Sequence, residues 1–225
     1  MLRVCAMMTG TETPEEPAYL SVPFVSEQLK LASVCADFNS LVFGSGTDPL
    51  DMEEREGLAV ICFRLCHDHH RAIFRLFQER HLVSGFAMMR PCFEALARGI
   101  WLLRGSSDAQ LMHYADGRDT KRVEQLLGDI AKSSKEDKFL LETWRRSEKS
   151  LHKFTHVSYQ LLVRRAPESH LDGPRDNTEV AHAMRFCSVT AMLASLELAR
   201  VFGRKDVEQQ AVRLWGMLYP DGTRR

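Results

Sequence analysis

Three charged residues, Arg90, Glu94 and Arg98, lie four positions apart in a stretch that is otherwise almost wholly apolar. Side chains at this spacing stand one above another on a helix, so the spacing predicts an Arg-Glu-Arg ladder along one helix face. Guanidinium groups bind phosphate or carboxylate through paired hydrogen bonds. The ladder is therefore either part of a binding or catalytic site, or a clamp whose charges pair inside the protein.

A second group of chemically capable residues follows later in the chain. His152 and His156 are four positions apart, and Arg146 precedes them. Imidazole titrates near neutral pH, so either histidine can take the proton of an RNA 2′-hydroxyl. An arginine can neutralise the charge that develops on the phosphate oxygens, and the ladder glutamate can orient a histidine or an arginine. The candidate catalytic set is therefore His152, His156, Arg146, Arg90, Glu94 and Arg98.

Two spacings of histidine with other ligand types resemble metal sites. Cys62, Cys66 and His70 fall on one helix face, and Glu148 stands four residues before His152. A structural zinc site normally has four ligands, and a di-iron bundle needs carboxylates from four helices. Neither group is completed by further ligands in the sequence. We therefore predict no metal and no cofactor.

Helical periodicity and chain breakers predict the elements that position these residues. Helices are expected at about 26–42, 51–80, 83–105, 108–131 in two short pieces, 133–165, 177–202 and 205–218. Strand-like alternation is absent, so we predict an all-α, single-domain bundle of about six or seven helices. The bundle is expected to span residues 23–220, between a flexible N-terminal tail at 1–22 and a short C-terminal tail at 221–225.

The helix predicted over residues 51–80 also carries three histidines. His69 falls in the middle of its apolar face, which predicts a core histidine, whereas His67 and His70 are predicted at the surface or its boundary. The six cysteines of the chain lie mostly in apolar helical patterns rather than at the spacing of disulfide staples. This pattern predicts reduced, buried thiols.

Charge and hydropathy exclude several classes of protein. Lys and Arg number 30, as do Asp and Glu, so no overall field attracts the chain to nucleic acid or anionic lipid. Any contact with RNA must therefore be local. No apolar run has membrane-spanning length, and the apolar stretch near Met1 is too short for a secretory signal. We expect a cytoplasmic protein that does not enter membranes.

Three motifs carry a resemblance to a known family. They are His69-His-Arg-Ala72, Arg90-Pro-Cys-Phe-Glu-Ala-Leu-Ala-Arg98 with Trp101, and Leu151-His-Lys-Phe-Thr-His156 with Gln160. Over about residues 50–203 the chain resembles a family of uncharacterised bacterial helical proteins. That family is more remotely similar to abortive-infection proteins and to the HEPN superfamily. The HEPN resemblance implies a dimeric, metal-independent ribonuclease with an arginine, a polar residue and then a histidine, a pattern that the stretch from Arg146 to His152 matches.

Three functions are compatible with these patterns. The sequence favours a non-catalytic protein that forms a homodimer or binds a protein partner, in a bacterial stress or phage-defence context. The alternative is a HEPN-like ribonuclease or toxin-type effector acting on RNA as a dimer. A small-ligand sensor that uses the ladder as a carboxylate or phosphate clamp is the third. A cleft where the ladder meets His152 and His156 favours the enzyme, whereas a ladder sealed without a cavity favours the structural clamp.

Overall fold

A computed structural model describes residues 49–79, 81–118, 121–155 and 177–218. In these residues the chain forms seven α-helices and no strand, which confirms the predicted all-α class. The helices are α1 (Glu54–Gln78), α2 (Leu82–Ile100), α3 (Asp108–Ala115), α4 (Val123–Ser133), α5 (Lys138–Thr155), α6 (Asn177–Val201) and α7 (Lys205–Leu218). The tails predicted at 1–22 and 221–225 and the helix predicted at 26–42 lie outside the described residues.

Helices α1 and α2 form the centre of the bundle, and α6 packs against both. Two glycines of α2 allow α1 to come close. A Cβ atom on Gly85 would lie 2.4 Å from the ring of Phe77, and one on Gly99 would lie 2.4 Å from the ring of Phe63. Both phenylalanines are fully buried, so their rings fill notches that only glycine leaves open.

The end of α2 passes into a π-helical turn, Trp101–Gly105, so the predicted end near Gly105 is confirmed although the last turn is wider than an α-helix. An arginine from α1 holds this turn. Arg55 Nη1 donates to the carbonyl oxygen of Leu102 at 2.5 Å and lies 2.7 Å from the hydroxyl of Ser106. The carbonyl groups that a helix end leaves unpaired thus receive a charged donor.

The region 108–131 was predicted to form two short helices. The structure confirms this, since the region forms α3 and α4 with a break between them. The hydroxyl of Ser107 accepts from Gln110 N and caps α3, and Gly117, with φ of 70°, follows its end. The start predicted at residue 133 for the next helix is wrong, because Ser133 ends α4 instead. Ser134 has an extended conformation, and α5 begins only at Lys138.

The last predicted helices agree closely with the structure. Helix α6 begins at Asn177 and ends one residue before Phe202, and Gly203 with φ of 64° follows it. The expected extension of α5 to about residue 165 lies outside the described residues, which end for this segment at Thr155. None of the helices described is both long enough and apolar enough to cross a membrane.

Candidate functional site

The charged ladder lies on the side of α2 that packs against α4 and α5. Arg90 Nε donates to Glu94 Oε1 at 2.7 Å, and the two side chains are 27% and 37% exposed. The guanidinium of Arg98 instead lies 5.3 Å from the ring centre of Tyr114 and 6.0 Å from that of Trp101. The ladder therefore consists of a partly exposed ion pair, Arg90 with Glu94, and of Arg98, whose guanidinium lies against two aromatic rings.

The ladder meets one of the two candidate histidines. Arg90 Nη1 lies 3.1 Å from Nδ1 of His152, which α5 places opposite α2. Guanidinium nitrogens can only donate, so Nδ1 accepts this hydrogen bond and the neutral ring carries its proton on Nε2. The guanidinium of Arg90 also lies 5.8 Å from the ring centre of the buried Trp144. Glu94, His152 and Trp144 thus fix the position of Arg90.

These groups line an open cleft of about 560 Å³ between α2, α4 and α5. Four basic residues line it, namely Arg90, Arg98, Lys121 and Arg122. Val123 and Glu124, the first two residues of α4, also contribute to the wall. The N-terminus of a helix carries partial positive charge, so it adds to the field of the basic side chains. We call this space the ladder cleft.

Three acidic residues, Glu94, Glu124 and Glu148, also line the ladder cleft. Glu94 is paired with Arg90, and Glu124 lies 3.8 Å from Arg145. Among the basic residues, Lys121 Nζ donates to Asp129 at 2.5 Å and thereby lowers the pKa of that carboxyl, although partial burial acts to raise it. The cleft is therefore mainly polar, with a small excess of basic groups.

The structure separates one candidate residue, Arg146, from this cleft. Arg146 lies on α5 six positions before His152, which turns it about 240° around the helix axis. It lines a different groove, between α5 and α6, so Arg146 and His152 do not face one site. His156 lies outside the described residues. Of the candidate set, Arg90, Glu94, Arg98 and His152 are brought together.

Comparison with known proteins adds a family. A family model matches residues 63–221 of the chain. The chain belongs to DUF6988, a family of unknown function. No curated protein and no solved structure matches the chain. Membership of an uncharacterised family is thus confirmed, while the remoter likeness to abortive-infection and HEPN proteins and the bacterial origin stay predictions.

The DUF6988 region contains a charge cluster that the sequence did not reveal. Arg104 donates to Asp137 at 2.6 and 3.1 Å and to Glu197 at 2.7 and 3.0 Å. Asp137 and Glu197 are 9% and 6% exposed. Burial acts to lower the pKa of Arg104, but hydrogen bonds to both carboxylates raise it above its usual value. No spacing rule links residues this far apart in sequence, so only the fold reveals that this arginine is the internal clamp.

The histidines of α1 are arranged differently from the sequence prediction. His67 and His70 are 2% and 3% exposed, whereas His69 is half-buried and Leu65 of the predicted apolar face is 46% exposed. The prediction was wrong because α2 and α6 cover a face of α1 that is rotated relative to the predicted one, toward His67 and His70. His67 Nε2 lies 3.4 Å from the hydroxyl of Ser195. Burial lowers the pKa of His67 to about 3 and also lowers that of His70.

The described cysteines are free and buried, as predicted. Cys66 Sγ and Cys92 Sγ are 3.8 Å apart, and Cys187 from α6 also contacts Cys92. Burial raises the pKa of the Cys187 thiol, and this favours the protonated form. Among the described residues, no group of three histidine, cysteine or acidic side chains is arranged to hold a metal ion.

Proposed function

We propose that this chain is a non-catalytic binding protein whose ladder cleft takes a small anionic ligand through a phosphate or carboxylate group. The observation that carries the proposal is the joint placement of Arg90, Arg98, Lys121 and Arg122 around one open space. The volume of about 560 Å³ lies within the range of small-molecule sites, about 300–1,000 Å³. An anion bound there would contact charged donors from two sides.

The position of Arg90 supports binding of an anion. Glu94 and His152 hold its guanidinium by two hydrogen bonds, and the ring of Trp144 lies beside it. A donor that is already fixed loses less conformational entropy when a ligand binds. His152, with its proton on Nε2, adds a neutral donor. The ladder is thus arranged before the ligand arrives.

Isothermal titration calorimetry with inorganic phosphate, pyrophosphate and citrate tests the proposal. We expect at least one of these anions to bind, and Arg98→Ala and Arg122→Ala to weaken its affinity by about 10- to 100-fold, since hydrogen bonds to charged groups contribute about 1.5–3 kcal/mol. Arg71→Ala is the matched control, because Arg71 is an exposed arginine that does not line the cleft. Absence of binding, or equal binding by all variants, would overturn the proposal.

Cleavage of RNA is a second candidate because His152 lines the cleft beside Arg90. In the observed arrangement Nδ1 accepts from Arg90 and Nε2 carries the proton, so neither nitrogen is ready to take a proton from a 2′-hydroxyl. Incubation of the protein with total RNA in EDTA separates the two functions. A binding protein leaves the RNA intact, whereas cleavage that is lost in His152→Ala or His156→Ala would establish the ribonuclease.

The homodimer or protein partner and the cytoplasmic location expected from the sequence form part of the same proposal. If anion binding controls association, the oligomeric state of the protein should change when an anion occupies the ladder cleft. Light scattering after size-exclusion chromatography, with and without the anion that binds in calorimetry, measures this. A monomer under both conditions would remove the dimer from the proposal.

A further inference from the structure

A second groove lies on the other side of α5 from the ladder cleft. Helix α2 forms its floor, and α5 and α6, which both pack on α2, form its walls. Its volume is about 300 Å³. Apolar side chains from all three helices line it, namely Phe86, Met89, Leu151, Phe154 and Phe186. We call it the α5-α6 groove.

Each aromatic residue that lines this groove is stacked on another ring, and for Phe186 that ring belongs to the buried Phe93, which does not line the groove. The rings of Phe86 and Phe154 are stacked with centres 4.6 Å apart, and those of Phe93 and Phe186 are stacked at 5.7 Å. Phe154 and Phe186 stand on opposite walls, on α5 and α6. An aromatic ligand in the groove would therefore lie among aromatic side chains from both walls, with which rings pack favourably.

The rim of the groove carries a different chemistry. Arg146 and Ser150 of α5 and His182 of α6 are exposed and line it, with Ser147 half-buried beside them. None of the described residues that line the groove is acidic. A permanent cation next to hydroxyl donors, above an apolar floor, complements a ligand with one anionic end and one apolar end.

We propose that the α5-α6 groove binds a small aromatic carboxylate, with its ring between Phe154 and Phe186 and its carboxylate on Arg146. One guanidinium pairs with one carboxylate through two parallel hydrogen bonds. A phosphate dianion would bring a second charge next to an apolar floor, where it would lack a partner. The site differs in place and ligand from the ladder cleft, so the inference does not depend on the function proposed above.

Calorimetry with 2-naphthoate tests this proposal, and the chain offers a matched control. Arg145 and Arg146 are neighbouring, exposed arginines of α5, but only Arg146 lines the groove. We expect Arg146→Gln to weaken binding of 2-naphthoate about tenfold or more, through loss of a charge-assisted pair, and Arg145→Gln to leave it unchanged. Equal effects of the two substitutions, or no binding to the wild type, would overturn the proposal.

Two further measurements separate the ring from the carboxylate. Ser150→Trp fills the groove from an exposed position without removing a core side chain, and it should abolish binding of 2-naphthoate. The amide analogue 2-naphthamide should bind at least about tenfold more weakly than the acid, since it lacks the charge. Binding of 2-naphthoate by Ser150→Trp, or equal affinity for the amide, would contradict the assigned site or ligand class. Arg146→Gln should bind whichever of phosphate, pyrophosphate and citrate the wild type binds, with the same affinity, which keeps failure here distinct from failure at the ladder cleft.

Discussion

The side chains of Arg90 and Arg104 are about equally exposed, at 27% and 28%, but their acidic partners differ in burial. The Arg90-Glu94 pair is about one third exposed and borders the ladder cleft. The carboxylates that bind Arg104 belong to residues that are 9% and 6% exposed. Water screens the first pair on both sides, whereas the two carboxylates that bind Arg104 are largely shielded from water and depend on their donors. The role of internal clamp that the sequence suggested for the ladder therefore belongs to Arg104.

Replacement of Arg104 by methionine tests this difference. Arg104→Met removes the donor of the buried Asp137 and leaves Glu197 with Arg200, and we expect the free energy of unfolding to fall by about 3 kcal/mol. Glu94→Gln, which breaks the half-exposed pair, should cost about 1 kcal/mol or less. Urea denaturation followed by circular dichroism measures both variants. Equal losses would show that the two pairs do not differ in this way.

The buried histidines of α1 predict a dependence of stability on pH. Unfolded imidazole has a pKa of about 6.5, and burial lowers that of His67 to about 3 in the folded protein. The unfolded state therefore binds more protons as the pH falls below about 6.5, and the free energy of unfolding decreases by about 1.4 kcal/mol per pH unit toward the lower pKa. Above this range the histidine contributes no slope.

His67→Gln isolates this contribution, because the glutamine amide can still bond to Ser195 but does not titrate. Between pH 7.5 and 5.0 the wild type should lose about 2 kcal/mol more stability than this variant. His113→Gln replaces an exposed histidine and should behave as the wild type does. A parallel loss in wild type and His67→Gln would contradict a neutral, buried His67.

At the scale of elements, close packing of α1 on α2 depends on glycine. A Cβ on Gly99 would lie 2.4 Å from the ring of Phe63, whereas one on Gly128 in α4 would meet no atom within 4 Å. Gly99→Ala should therefore lower the free energy of unfolding by about 1–3 kcal/mol through overpacking. Gly128→Ala should raise it by up to about 1 kcal/mol through higher helix propensity. Thermal unfolding of both variants measures these changes. Stabilisation by Gly99→Ala would contradict close packing of the Phe63 ring on Gly99.

Most helix positions were predictable because their signals are local. Breakers such as Gly117 and Gly203 end helices through positive φ, and hydrophobic periodicity marks what lies between them. The rotation of α1 was not predictable, since its buried face depends on which neighbours cover it. The break between α4 and α5 lies a few residues later than predicted, because burial of Leu126, Leu127 and Ile130 extends α4 to Ser133.

In the candidate site, too, only the contact between residues of one helix was predictable from the sequence. The contact between Arg90 and Glu94 follows from their spacing on one helix, and the structure shows it. The contact between Arg90 and His152 joins residues 62 positions apart, so it requires the packing of α5 on α2. Lys121 and Arg122 precede α4 without any motif, and only the fold brings them to the cleft.

At the scale of the whole molecule, α5 forms one wall of both the ladder cleft and the α5-α6 groove. Its side chains at His152 and Glu148 line the polar ladder cleft, and those at Arg146 and Phe154 line the apolar groove. Both spaces lie within the region that the DUF6988 family model matches. The two proposals thus place a small anion in the polar cleft and an aromatic carboxylate in the apolar groove, on opposite sides of one helix.

The most direct test of the central claim, that the ladder cleft binds an anion, is a crystal structure of the protein with tungstate, a heavy analogue of phosphate. Anomalous scattering locates the metal atom of the anion without reference to the protein. We predict a tungstate in the cleft, within hydrogen-bonding distance of Arg98 or Arg90 and close to the start of α4. A cleft without tungstate, at a concentration that saturates binding in calorimetry, would contradict the claim.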